Sequence, residues 1–217
     1  MQPDFHHGLP GLSTIRRRSP STLSLPNGSE GEANADRTSR DTLVARLAAL
    51  GAPLWLDAGV STVDDARRAI DLGATRVIVG LETLLSYDVL GEICAAVGDD
   101  RVAFSLDLRD GEPVVAPGAH GHVPAHVIAT RAAKAGVGAV IVIDLARVGT
   151  GAGLDLALIA RVREATPGLM LVAGGGVRGL EDLVQLANVG CDGALVATAL
   201  HDGRLGPIDV VAAQRLG

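Results

Sequence analysis

The chain has 217 residues, 47% of them hydrophobic and only 2% aromatic, with a net charge of −6 and a pI near 5.4. One domain is the default at this length, and an acidic balance with no basic face or polybasic tract excludes nucleic acid and a membrane surface as expected partners. No apolar run reaches the roughly 18 residues of a spanning helix, the polar, prolyl N-terminus shows no secretory signal, and Cys94 and Cys191, without metal spacing, read as buried thiols of a cytoplasmic protein.

Residues 1–37 differ in kind from the rest. Pro3, Pro10, Pro20 and Pro26 stand in a Ser/Thr/Asn/Gly background beside Arg16-Arg17-Arg18, a composition expected to be disordered or irregular. His6-His7 reads as a solvated pair, and Thr22-Leu23-Ser24-Leu25 as a scrap of strand cut short by Pro26. Residues 38–217 read as the folded domain.

From Asp41 to Leu50, Leu43, Val44, Leu47 and Leu50 recur at helical spacing. Ala52 to Val60 reads as a strand, with Trp55 expected between barrel and helices. Ser61 then opens a helix with an acid, Asp64, three residues on. Arg76 to Gly80 is a strand of unbroken apolar character, as expected when both faces are covered. A helix over Tyr87 to Val97 leads to a strand from Val102 to Leu108, which ends in Asp107-Leu108-Arg109-Asp110-Gly111. Glu112 to Val123, with His120 and His122, reads as a connection. Pro124 starts a helix in the position where its missing N–H costs nothing. The strand from Val137 to Leu145 runs into a glycine-rich loop, Arg147 to Gly153, and the helix from Leu154 to Ala165 stops before Pro167. Leu169 to Gly176 is a strand closing on three glycines. A helix from Gly179 to Val189, a strand ending in Val196-Ala197-Thr198 and a last helix from Pro207 complete the chain. His126 reads as a helix-surface residue, and His201, after the last strand, as a residue able to face a phosphate.

One part of the chain repeats another. Leu54–Gly80 lies over Leu171–Ala197 at a constant shift of 117 without gaps: Leu54 meets Leu171, Gly59 meets Gly176, Val60 meets Val177, Asp65 meets Asp182, Gly73 meets Gly190 and Val79 meets Val196. Each copy is strand, glycine turn, helix, strand, a unit that requires a parallel sheet. Bare glycine backbone just past a strand can cradle a phosphate. Duplication of such a unit points to a (β/α)8 TIM-barrel-like fold built of two similar halves. About six βα units are clear, so the barrel is expected to be N-terminally incomplete. Shifted back by 117, the strand at 139–145 falls on 22–28 and the strand carrying Asp107 falls before Met1. An open parallel edge exposes unpaired backbone and invites self-association.

These residues resemble the HisA/HisF family, the phosphoribosyl-imidazole barrels of histidine biosynthesis. The likeness runs from about Asp41 to Gly203. It is carried by Asp57-Ala58-Gly59-Val60-Ser61, Val79-Gly80, Phe104-Ser105-Leu106-Asp107, Asp144 to Thr150, Gly174-Gly175-Gly176-Val177 and Val196-Ala197-Thr198-Ala199-Leu200. Phe104-Ser105-Leu106-Asp107 leans toward the isomerase of the pair, HisA. The resemblance implies an Amadori rearrangement of a phosphoribosyl-aminoimidazole-carboxamide ribotide, without cofactor or metal, on a phosphorylated small molecule. It implies Asp107 as one of two catalytic carboxyls. It also implies two phosphate clamps, Gly59, Gly80 and Leu81 in the first half, and Gly175, Gly176, Ala197 and Thr198 in the second, with Gly149 and Thr150 on the loop between. The chain departs from the family pattern at Asp57, where a glycine is usual, at Ile143, Val148 and Ala197, and in having no counterpart of the first-strand aspartate. Two other readings therefore stand beside the isomerase: a paralogue acting on another phosphorylated substrate, for instance in biosynthesis of a one-carbon carrier, with Asp57 given an altered function, and an inactive or truncated barrel.

Overall fold

The computed structural model describes residues 41–115 and 123–216; the N-terminal segment 1–37, His120 and His122 lie outside them. A helix over residues 41–48 (α1) precedes β1 (Trp55–Leu56), α2 (Val63–Asp71), β2 (Arg76–Gly80), α3 (Tyr87–Val97) and β3 (Val102–Arg109). Then come β4 (Glu112–Pro113), α4 (Ala125–Lys134), β5 (Ala139–Asp144), α5 (Leu156–Ala165), β6 (Met170–Gly174), α6 (Leu180–Asn188), β7 (Gly193–Leu195), α7 (Thr198–His201) and α8 (Pro207–Ala213). The sheet order is β1-β2-β3-β5-β6-β7, every neighbour parallel. It curls into an open half-barrel with helices alternating on its outside, an incomplete (β/α)8 architecture.

Strand alternation divides the core in two. Val102, Phe104, Leu106 and Leu108 of β3 and Val140 and Val142 of β5 point outward into the large cluster shared with Leu90, Ile93, Ile128 and Ile159 of the helices. Each such side chain, fully buried, contributes about 1.5–3 kcal/mol. Ala103, Ala139, Ile141 and Val172 point inward and form a second, smaller cluster with Trp55 and Ile78. Trp55 thus sits inside the sheet's curve and not against the helices, because it alternates with outward Leu54 and Leu56. There its ring lies 4.5 Å from the Arg76 guanidinium. Arg76 also donates to the Asp100 carbonyl and to Met170 Sδ, so the N-terminal ends of β1, β2 and β6 are tied together by one cation whose pKa burial pushes down.

The repeat seen in the sequence is reproduced in helix bounds and in several backbone hydrogen bonds. The α2 range shifted by 117 is the α6 range. Thr75 N–H donates to Leu54 C=O at 2.8 Å, as Asp192 N–H does to Leu171 C=O, and Ala74 N–H to Ala69 C=O at 3.1 Å matches Cys191 N–H to Leu186 C=O at 3.0 Å. Two local expectations need correcting. The cap of α2 is Thr62 with Asp65, one residue beyond the expected pair, and each donates a backbone N–H to the other's side chain at 3.2 Å. The connection after β3 is no plain loop: β4 pairs antiparallel with β3 around Asp110-Gly111, both at positive φ, which is the Asp-Gly two-residue hairpin.

Candidate functional site at the carboxyl ends of the strands

A cavity of about 840 Å³ runs along the inner face of the sheet, from Met170 at the start of β6 to the residues that follow β1, β5, β6 and β7, with Leu183 of α6 and Val210 of α8 on one side. Its mouth is built from the residues that follow those strands: Asp57, Val148, Gly149, Gly175, Gly176, Ala197 and Thr198, with Ser105 and Ile143 on the inner wall. Trp55, Ile78, Ile141 and Val172 form its apolar floor. Of the residues expected at the site, Asp57, Gly149, Gly175, Gly176, Ala197 and Thr198 are therefore brought together. Gly59, Gly80, Leu81, Thr150 and Asp107 are not among its lining.

Asp107 stands next to that lining, on the same face of β3 as Ser105. It is inward-facing on β3, beside Ile143 of β5, and only 4% exposed. Ser105 Oγ, two residues earlier on the same face, donates to Asp107 Oδ1 at 3.1 Å. Ser105 lines the cavity, so the carboxyl connects to it through this hydroxyl. The alternation of Phe104-Ser105-Leu106-Asp107 held the signal for that partnership, since i and i+2 share a face.

The two glycine turns have diverged in their surroundings. Gly176, at φ +109°, sits against the Gly153 carbonyl, 2.7 Å from where a Cβ would be; Gly59, at φ +69°, has nothing within 4 Å among the described residues. The second turn is thus braced by the loop after β5, and the main chain of Gly175 and Gly176 faces the cavity. In the first turn, Gly59 N–H donates to Asp57 Oδ1 at 3.5 Å, and the Glu82 carboxylate lies over Gly80, 2.6 Å from a Cβ position there. Carboxylates stand where the resemblance expected a phosphate. No sequence pattern announced Glu82. Behind the second turn, Asp182 takes the Arg178 N–H at 2.8 Å and two guanidinium bonds, which hold its pKa below the usual carboxylate range. Its copy Asp65 accepts the Ser61 N–H at 3.4 Å. Among the described residues no three His, Cys, Asp or Glu side chains come together as a metal site, and no helix is long and apolar enough to cross a membrane.

The family described as "Histidine biosynthesis protein" matches residues 30–206. An isomerase from Thermus thermophilus, named 1-(5-phosphoribosyl)-5-((5-phosphoribosylamino)methylideneamino) imidazole-4-carboxamide isomerase, is 39% identical over 165 residues, 75% of this chain and 70% of its own length. Proteins of the same name from Anaeromyxobacter sp. strain K and Natronomonas pharaonis are 33% and 34% identical, each covering 80% of this chain and 72% of the relative.

Proposed function

The chain belongs to the histidine biosynthesis protein family, and on that premise we propose that it isomerises a phosphorylated ribosylamino-imidazole carboxamide by an Amadori rearrangement. The observation that carries this reading is the inward, buried Asp107 toward the end of a central strand, joined by Ser105 to a cavity lined in part by the bare backbone of Gly149, Gly175 and Gly176. Reacting groups at the carboxyl end of barrel strands occupy the usual active face.

In the proposed reaction, the furanose ring oxygen takes a proton and its bond to the anomeric carbon breaks, leaving a protonated imine. Removal of the proton on the next carbon gives a neutral enaminol, and protonation at the former anomeric carbon with loss of the enol hydroxyl proton yields the ketose. We assign the carbon proton to Asp107, with Ser105 orienting its carboxyl. Asp57, a second carboxyl beside the cavity, is assigned the proton for the ring oxygen, the altered role that its replacement of a clamp glycine allows. One phosphate is assigned to the main chain of Gly175, Gly176, Ala197 and Thr198, with Gly149 across the mouth; fixing that end holds the sugar over the carboxyls. Gly59, Gly80 and Leu81 are the assigned seat of a second phosphate, beside the Asp57 and Glu82 carboxylates.

The test is turnover of the ribotide by the purified full chain against its Asp107→Asn variant. Loss of a positioned acid–base group lowers kcat about 10²–10⁴-fold. Wild-type turnover no higher than that of the variant overturns the reading.

A further inference from the structure

We infer that Asp144 is a positioning residue for the reaction, holding the end of β3, and with it Asp107, through its carboxylate; the inference rests on the isomerase reading above. Asp144 ends β5, faces away from the cavity and is 6% exposed. Its carboxylate carries four contacts. Oδ1 accepts from Asp110 N–H at 3.1 Å and Ala146 N–H at 3.0 Å, while Oδ2 accepts from Gly111 N–H at 3.1 Å and meets Arg147 Nε at 3.4 Å. Asp110 and Gly111 are the two residues of the β3–β4 hairpin, and their amides have no partner within a two-residue turn. Asp110 is also the one non-glycine residue at positive φ among the described residues. A single buried anion therefore fixes the turn three residues beyond Asp107, whose own carbonyl accepts from Val114 N–H on the far side of that turn at 2.8 Å.

The main chain of Asp144 has a separate task. A Cβ on Gly175 would stand 2.5 Å from the Asp144 carbonyl oxygen and 2.7 Å from its nitrogen, so the phosphate turn rests directly on this peptide. Side chain and main chain thus serve opposite ends of the site: the carboxylate aligns the acid–base strand, the backbone seats the phosphate turn. Removing only the charge should separate them.

The experiment is Asp144→Asn in the full chain. Asn keeps an acceptor for Asp110 and Ala146 but turns an amide N–H₂ toward the Gly111 N–H. Misplacing a catalytic group by up to about 1 Å costs on the order of 10–100-fold in rate. The expected result is a fall of that size in kcat per folded molecule, with KM and the affinity for inorganic phosphate within about twofold of wild type, and faster hydrogen exchange at the Gly111 amide. A bystander role would leave kcat per folded molecule unchanged and lower only the melting temperature, and that outcome overturns the inference. Wild type without turnover removes the isomerase reading instead. The exchange measurement then decides alone: a Gly111 amide protected in wild type and released in the variant sustains the carboxylate's hold on the strand end, and equal exchange in both overturns it.

Discussion

The paired glycines of the repeat, Gly59 and Gly176, offer the sharpest test of how the two turns differ. Both need the left-handed region, so alanine at either costs roughly 1–2 kcal/mol, less about 0.4–1 kcal/mol regained from the unfolded chain. At Gly59 no further cost arises among the described residues, because nothing lies within 4 Å of the new methyl group. At Gly176 the methyl would stand 2.7 Å from the Gly153 carbonyl oxygen and 3.3 Å from that of Arg147. Both are backbone atoms of one loop, and forcing them apart adds about 1–3 kcal/mol. The expected totals are about 1 kcal/mol for Gly59→Ala and about 3 kcal/mol for Gly176→Ala. In a chain of this length one kcal/mol moves Tm by roughly 2–4 °C, so thermal unfolding should show losses of about 2–4 °C and about 6–12 °C respectively. Gly176→Ala should also weaken inorganic phosphate binding. Equal losses in the two variants would refute the claim that the loop after β5 braces only the second turn.

Asp57→Asn should lower kcat by on the order of 10²-fold if it supplies the ring-oxygen proton, measured against the ribotide at saturation; an unchanged kcat removes Asp57 from the chemistry. Glu82→Gln takes one carboxylate away from Gly80 and should lower KM by at least about fivefold, because two unit charges about 4 Å apart repel by roughly 1 kcal/mol even at the dielectric of bulk water. Because the folded-state pKa of Asp182 is depressed, its contribution is present above the ordinary carboxylate range and lost as pH falls through the folded value. The stability gap between wild type and Asp182→Asn, followed by acid unfolding, should therefore close on acidification. Burial pushes the Cys94 thiol up to about 11 and the Cys191 thiol up to about 12, so both should resist iodoacetamide at neutral pH in the native protein and react once it is unfolded.

Much of this fold was legible because backbone geometry left marks at fixed spacing. The 117-residue shift located both βαβ units, and their hydrogen bonds repeat at the same shift down to Gly73 N–H to Ile70 C=O and Gly190 N–H to Ala187 C=O. Register and glycine position are what the copies had to keep, since each unit packs by the same rules. What escaped the reading depends on contacts far apart in sequence or on which face wins. Asp110-Gly111 had the composition of a hairpin, but a two-residue β4 offers too little pattern to follow. Trp55 fits an outward or an inward strand position equally well as a sequence, and only its neighbours Leu54 and Leu56, both drawn to the helices, decide the matter.

The site follows the same division. Asp107 and the glycines were expected at the site from their likeness to the family's motifs at a strand end and in bare turns, which are local features; Gly149, Gly175 and Gly176 line the cavity, and Asp107, Gly59 and Gly80 do not. Asp144 stood in the same sequence stretch without a role, since its partners Asp110 and Gly111 are more than thirty residues away. The two halves therefore share a frame but not a chemistry. Asp65 and Asp182 hold equivalent turns by equivalent bonds, while those turns begin with a carboxylate, Asp57, in one copy and with Gly174 in the other. Asp57 and Glu82 make the surroundings of the two turns unequal. On the proposed reading, that inequality would let an asymmetric substrate, with a carboxamide-bearing imidazole at one end and the reacting sugar at the other, bind in one direction only.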